Sequence, residues 1–144
     1  MIGHAKKLGL LAALGLAFGL ALAACSSSSK IENVEPNIFP AKYKDEIIAT
    51  LTPVLSDPTN LRDTFITEPT LTATPGSKDQ RYTVCVRYNA RDPNHRYMGI
   101  TDRIGYFYGG HLNQLIEANK DQCGKAAYKP FPELGKLCLG TKCE

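Results

Sequence analysis

Three histidines, His4, His95 and His111, are the imidazoles on which triad or general acid–base chemistry could draw in this chain. A Ser-His-Asp constellation also needs a serine on a sharp strand-to-helix elbow. Ser56 and Ser77 stand instead in loop-like surroundings, and no G-x-S-x-G stretch occurs. His95 and His111 each sit beside an expected turn, where an exposed imidazole without a catalytic role is the simplest reading. Asp102 and Glu117 offer carboxylates for acid and base roles, but spacing along a chain does not set a distance in space. Gly105, Gly109 and Gly110 lack the frame of a phosphate-cradling loop and read as turn-makers. No catalytic residue, metal or cofactor is expected.

Tyrosine is the residue type best suited to recognition. Tyr88, Tyr97, Tyr106 and Tyr108, together with Tyr82, fall on adjacent expected strands with arginines nearby. They are the candidate partner surface, because an aromatic strip stacks on sugar rings or grips a protein. Tyrosines filling a half-buried sheet with hydroxyls at its rim are the plainer alternative.

The elements that would position these residues begin after an N-terminal leader. Lys6 and Lys7 precede Leu8 to Ala24, a run of Leu, Ala, Gly and Phe18 without charge. Its length suits either a short membrane span or a long signal core. Gly9, Gly15, Gly19 and the alanines keep it moderately hydrophobic, and it ends in small residues, as cleavage requires. Leu22-Ala23-Ala24-Cys25 resembles the lipobox of bacterial lipoproteins. That resemblance covers only the signal segment, 1–24, and the first mature residue. It implies diacylglyceryl attachment to the Cys25 sulfur, cleavage before Cys25, and acylation, typically by palmitate, of the freed amino group. A thiol is the nucleophile suited to the thioether, and Ala23 and Ala24 let a protease approach the backbone closely. Two or three acyl chains at about 0.8 kcal/mol per buried CH₂ make a durable anchor in a lipid bilayer. Ser26 stands where the family's inner-membrane retention signal has Asp. The resemblance therefore implies the periplasmic face of the outer membrane.

Loss of Lys6 and Lys7 with the leader lowers the formal charge from +3 to +1. A near-neutral domain has no concentrated basic face, so nucleic acid is not an expected partner. Arg81, Arg87, Arg91, Arg96 and Arg103 are close in sequence but should be spread over faces and loops.

With Cys25 assigned to lipid, Cys85, Cys123, Cys138 and Cys143 remain. An even number in an exported chain reads as two disulfides. Three pairings are possible. Cys138 with Cys143 is preferred, because short loops close at low entropic cost and Gly140 allows the bend. This leaves Cys85 with Cys123, a link worth roughly 4 kcal/mol in the loop-entropy model. Zinc is disfavoured, since no C-x-x-C pair or nearby histidine accompanies these cysteines.

Residues 25–40, with Ser26 to Ser29, Pro36 and Pro40, read as a flexible tether. A single domain, 41–144, follows. Tyr43, Ile47, Ile48, Leu51, Val54 and Leu55 recur at helical spacing, Pro53 should kink that helix or force a new turn, and Asp57-Pro58 should close it. Residues 61–73 read as an edge or bulged strand interrupted by Pro69. In "RYTVCVRYN", 81–89, Tyr82, Val84, Val86 and Tyr88 face one way and Arg81, Thr83, Cys85 and Arg87 the other. The first set should meet the helix, with Cys85 tying a covering segment to the opposite face. Residues 97–108 return, Gly109-Gly110 signals a two-residue hairpin, and 111–118 reads as a strand with a helix as its rival. The expected fold is α+β: one amphipathic helix on a three- or four-stranded antiparallel sheet, with an irregular tail pinned by cysteines. The expected function is a membrane-anchored, non-catalytic interaction module for an envelope protein or glycan. A small envelope enzyme, or an accessory domain of one, is the alternative.

Overall fold

The structure is a computed structural model that describes residues 35–73, 76 and 79–137. The leader, the lipobox, Cys25, Cys138 and Cys143 lie outside the described residues. Those described fall within one compact unit, Asn33–Glu144. Its elements run α1 (Tyr43–Leu51), β1 (Asp57–Ile66), β2 (Thr70–Ala73), β3 (Gln80–Arg91), β4 (Tyr97–Tyr108), β5 (His111–Glu117), α2 (Lys120–Cys123), β6 (Lys129–Pro130) and α3 (Pro132–Gly135). The strands form one antiparallel sheet in the order β5-β4-β3-β1-β6, and β2 pairs the first part of β3, in line with β1. The fold is mixed α+β as expected, with six strands among the described residues rather than three or four, and several short helices rather than one.

Three physical features account for the difference. The first is β1, which begins at Asp57, where the sequence suggested only the end of a helix. Asn60 and Asp63 adopt positive φ, 54° and 52°, and the pairing with β3 shifts register around them. Such bulges break the two-residue alternation by which a strand is recognised. The second is Pro69, which separates β1 from β2. Next to it, Thr67 both donates its N–H to the Cys85 carbonyl and accepts the Cys85 N–H on its own hydroxyl, so a side chain completes the ladder. The third is the tail. Asn119 and Gln122 form a capping box that starts α2, then β6 pairs the outer edge of β1 and α3 packs beside that strand.

Helix α1 ends at Leu51, and a 3₁₀ turn at Thr52–Val54 accommodates Pro53. Ile47 and Leu51 are fully buried, while Val54, beyond the change in helix type, is exposed. On the α1 side of the sheet, Val84, Val86, Tyr88 and Ala90 from β3 join Ile47, Leu51, Phe107, Phe131 and Leu134 in the main core. The opposite face carries a smaller cluster of Cys85, Ile104 and Cys123, with Tyr106, Ala118, Ala126 and Tyr128 packed against it. Gly109 and Gly110, φ 57° and 82°, make the β4–β5 hairpin, and 111–117 is strand rather than helix. Pro36 to Pro40, read from the sequence as tether, is docked. The Gly109 N–H donates to the Pro36 carbonyl, Pro40 is fully buried, and Phe39 meets Tyr82 edge to face at 5.4 Å.

Candidate functional site

The sulfur bridge between Cys85 and Cys123, with Cα atoms 5.8 Å apart, organises the face opposite α1. Strand alternation points Cys85 away from the main core, and the α2 capping box delivers Cys123 to it. Asn119 Oδ1 accepts the Gln122 N–H at 2.9 Å, and the Asn119 N–H reaches Gln122 Oε1 at 2.9 Å. The Gln122 amide also donates to the Tyr106 hydroxyl at 3.1 Å. The sequence N-K-D-Q from Asn119 to Gln122 has the spacing of a capping box. It was the available signal for α2.

Between this covering segment and β2 lies a cleft of about 260 Å³. Thr67, Glu68, Thr70 and Thr72 line one side, Thr83 and Cys85 the floor, and Gln122, Ala126, Ala127 and Lys129 the other side. Thr72 and Thr83 share a hydroxyl hydrogen bond at 3.0 Å, and the Thr83 hydroxyl also reaches the Thr70 carbonyl at 3.4 Å. At the rim Lys129 Nζ donates to Glu68 Oε1 at 3.1 Å, and Tyr43 donates its hydroxyl to Oε2 at 3.3 Å. Lys129, foremost, holds the Glu68 carboxyl below its ordinary range. Threonine hydroxyls, an amide and alanine methyls suit hydrogen bonding to a neutral polar ligand, with apolar contact beneath it. The cleft is assembled from three separate segments, 67–72, 83–85 and 122–129, so no contiguous motif announces it.

Beside the disulfide, Arg87 grips Asp102 with two parallel bonds, Nε to Oδ1 at 2.7 Å and Nη2 to Oδ2 at 2.8 Å. The Tyr128 ring lies 4.4 Å from the Arg87 guanidinium carbon. Arg87 holds Asp102 below the usual carboxylate range, and burial with Asp102 nearby pushes the Tyr128 phenol up to about 12. Asp102 is thus a structural ion. Glu117 pairs in register with Arg103, the next residue along β4, whose side chain points to the other face. The two carboxylates are not brought together.

The candidate tyrosines are likewise divided. Tyr88 is buried on the α1 face, its hydroxyl accepting from Arg103 Nε at 2.7 Å. Tyr106 and Tyr108 lie on the disulfide face, and Arg81 sits 5.2 Å from the Tyr108 ring centre. Tyr97 belongs to the far end of β4, its ring 4.3 Å from the Arg62 guanidinium carbon and its hydroxyl bonded to the Asn60 carbonyl. They do not form a continuous strip. Two more of the arginines are neutralised locally, as Arg87 is: Arg91 pairs with Asp57 at 2.7 Å, and Arg96 with Asp92 at 2.9 Å.

His95 and His111 occupy opposite ends of the sheet. His111 Nδ1 lies 3.0 Å from Glu46 Oε1, and the other Glu46 oxygen accepts the Leu112 N–H. His95, at φ 61° in the β3–β4 turn, places Nδ1 2.9 Å from Asp57 Oδ2. Thr59 donates its hydroxyl and its N–H to Asp57 Oδ1, at 2.6 and 3.0 Å. These bonds, the Thr59 hydroxyl first and then His95, with Arg91 adding charge, hold the buried Asp57 far below the ordinary carboxylate range against the opposing effect of burial. The hydroxyl nearest the His–Asp pair therefore serves the carboxylate rather than the imidazole.

Among the described residues no three His, Cys, Asp or Glu side chains gather as a metal site, and no helix is long and apolar enough to cross a membrane. No protein-family model matches the chain, and neither the curated proteins nor the solved structures give a significant match.

Proposed function

We propose that this chain is a lipid-anchored envelope lipoprotein whose disulfide-braced domain is a non-catalytic interaction module. Its threonine-lined cleft is the docking site for an envelope protein or glycan. The observation that carries this reading is the Cys85–Cys123 bond beneath the cleft. A buried crosslink of this kind belongs to an oxidising compartment, which is where Leu22-Ala23-Ala24-Cys25 would deliver the chain. The same bond fixes one wall of the cleft against its floor. Residue chemistry agrees, since hydroxyls and an amide recognise by hydrogen bonding without titrating near neutral pH.

Two measurements test it. Metabolic labelling with palmitate should mark the wild-type chain and not Cys25→Ser, which should leave the membrane fraction. Crosslinking in the native membrane should capture a partner that is lost in Thr70→Arg with Thr72→Arg, where long charged side chains fill the cleft. Retention of both the partner and its yield in that variant would remove the cleft from the function.

An envelope enzyme is the second reading, and the His95–Asp57 pair favours it, because a carboxylate orients a general base in the same way. Joint replacement of His95 and His111 by Gln would abolish the cellular phenotype on that reading. On the binding reading the phenotype survives.

A further inference from the structure

The domain's first described residues enter at one end of the sheet, and that end carries several exposed apolar side chains. The Pro36 carbonyl is held by the Gly109 N–H of the β4–β5 hairpin, and Ile38 packs against Gly110. Phe39 leans on Tyr82, whose β2 partner is Leu71, while Arg81, beside Tyr82, covers Tyr108. The six side chains Ile38, Phe39, Leu71, Arg81, Tyr82 and Tyr108 gather at the rim where β2, the start of β3 and the β4–β5 hairpin meet. Four of them keep large apolar surface in water: Ile38 46%, Phe39 52%, Leu71 41% and Tyr108 41% exposed.

We infer that this rim is a membrane-docking surface, seated at the headgroup level of a phospholipid bilayer. The inference rests on acylation of Cys25. Nine residues lie between Cys25 and Glu35, and at about 3.3–3.6 Å for each residue-to-residue step the chain between them spans at most roughly 35 Å. The tether joins the domain at the docked Pro36, so this rim reaches the bilayer with less of the tether extended than the opposite end of the sheet would need. A short linker also makes the second contact effectively intramolecular, so a modest apolar patch suffices. Isoleucine, phenylalanine and leucine suit the upper acyl region, and a tyrosine under an arginine suits the interface, where amphipathic rings and cations gather. The other exposed pair on β4, Met98 and Ile100, lies at the opposite end of that strand. At about 3.3 Å per residue β3 sets the two ends roughly 36 Å apart. Docking through the hairpin rim thus holds Met98, Ile100 and His95 away from the lipid. The cleft opens beside the rim, since Thr72 pairs with Arg81.

The test uses the natural acylated protein reconstituted into vesicles of zwitterionic and anionic phospholipid. A fraction of the lipid carries a carbene-generating group near the glycerol, and labelled residues are identified by mass spectrometry. Adducts at Ile38, Phe39, Leu71 and Tyr108, absent from Met98 and Ile100, are expected. They should disappear in Phe39→Asp with Leu71→Asp while the protein stays on the vesicles and keeps its disulfide. Adducts confined to residues before Glu35, or equally strong at Met98 and Ile100, overturn the docking surface alone. Intact mass without fatty acid, with the protein left in the supernatant, overturns the anchor and the docking together.

Discussion

On the α1 side of the sheet, Ile47, Leu51, Phe131 and Leu134 are wholly buried and Phe107 nearly so, whereas the buried apolar set on the other side is Cys85, Ile104 and Cys123. A large apolar side chain contributes about 1.5–3 kcal/mol on burial, so the first face has ample reason to fold and the second has little. The covering segment there is short, with a four-residue helix and a turn before the irregular path to β6. Its position depends on a covalent bond, a capping box and an ion pair. One chain segment joins the two faces, since residues after Cys123 pass along β1 as β6 and then bury Phe131 and Leu134 under α1. Hydrophobic burial builds the domain, and the crosslink adds to it the face that carries the cleft.

The largest expected effect breaks the first face. Phe131→Ala removes a fully buried ring at the junction of β6 and α3 and should cost about 4–5 kcal/mol, measured as a denaturant midpoint, with both faces lost in one transition. Cys85→Ala with Cys123→Ala should cost somewhat less, about 3–4 kcal/mol. Its signature differs from that of Phe131→Ala. In hydrogen exchange, amides of β3 and β4 should lose protection only by that global cost, while those of 119–128 lose theirs altogether, and the cleft should go with them. Equal loss of protection on both faces would erase the distinction drawn between them.

The same contrast decides how much could be read from the sequence. Strand β3 was legible because Tyr82, Val84, Val86 and Tyr88 alternate with polar residues, and the parity of Cys85 gave the second face, while its link to Cys123 followed from pairing Cys138 with Cys143 on loop length. Helix α1, the 3₁₀ turn at Pro53 and the Gly109-Gly110 hairpin follow from equally local rules. The start of β1 was hidden, because Asn60 and Asp63 take positive φ and break the alternation. β6 has two residues and α3 four, too few for any period, and both exist because Phe131 and Leu134 find a core made by distant strands. The tyrosine strip failed for a related reason. A bulge near Gly99 and the pleat place Tyr88 and Tyr97 on different faces, which composition cannot show.

A smaller effect concerns Asp57 at the far end. Its pKa is depressed in the fold, so the stability it lends is complete above its unfolded value of about 3.9 and is lost as pH falls below that. Asp57→Asn should cost about 2 kcal/mol at neutral pH by weakening the bonds to Thr59, His95 and Arg91. It should also flatten the acid limb of a stability-against-pH curve. An unchanged acid limb would move the pH dependence to other carboxylates and make this end irrelevant to either face.

Tyr128→Phe should change least, and it bears on whether the disulfide face is well packed. The Tyr128 hydroxyl is buried without a hydrogen-bond partner among the described residues, although Asp102 and Arg87 are close by. Removing an unsatisfied hydroxyl while keeping the ring against Arg87 should shift stability by no more than about 0.5 kcal/mol, in either direction. At high pH the variant should gain. The phenol is pushed up to about 12, so the stability of its neutral form is complete below about 10 and is lost as pH rises toward that folded value. Phenylalanine has no such loss. Ultraviolet titration should show one fewer late tyrosinate in the variant than in wild type, where Tyr43 is raised as well. A cost above about 1.5 kcal/mol would instead mean that the hydroxyl bonds to Asp102. The polar network would then rank with the disulfide as a support of the cleft.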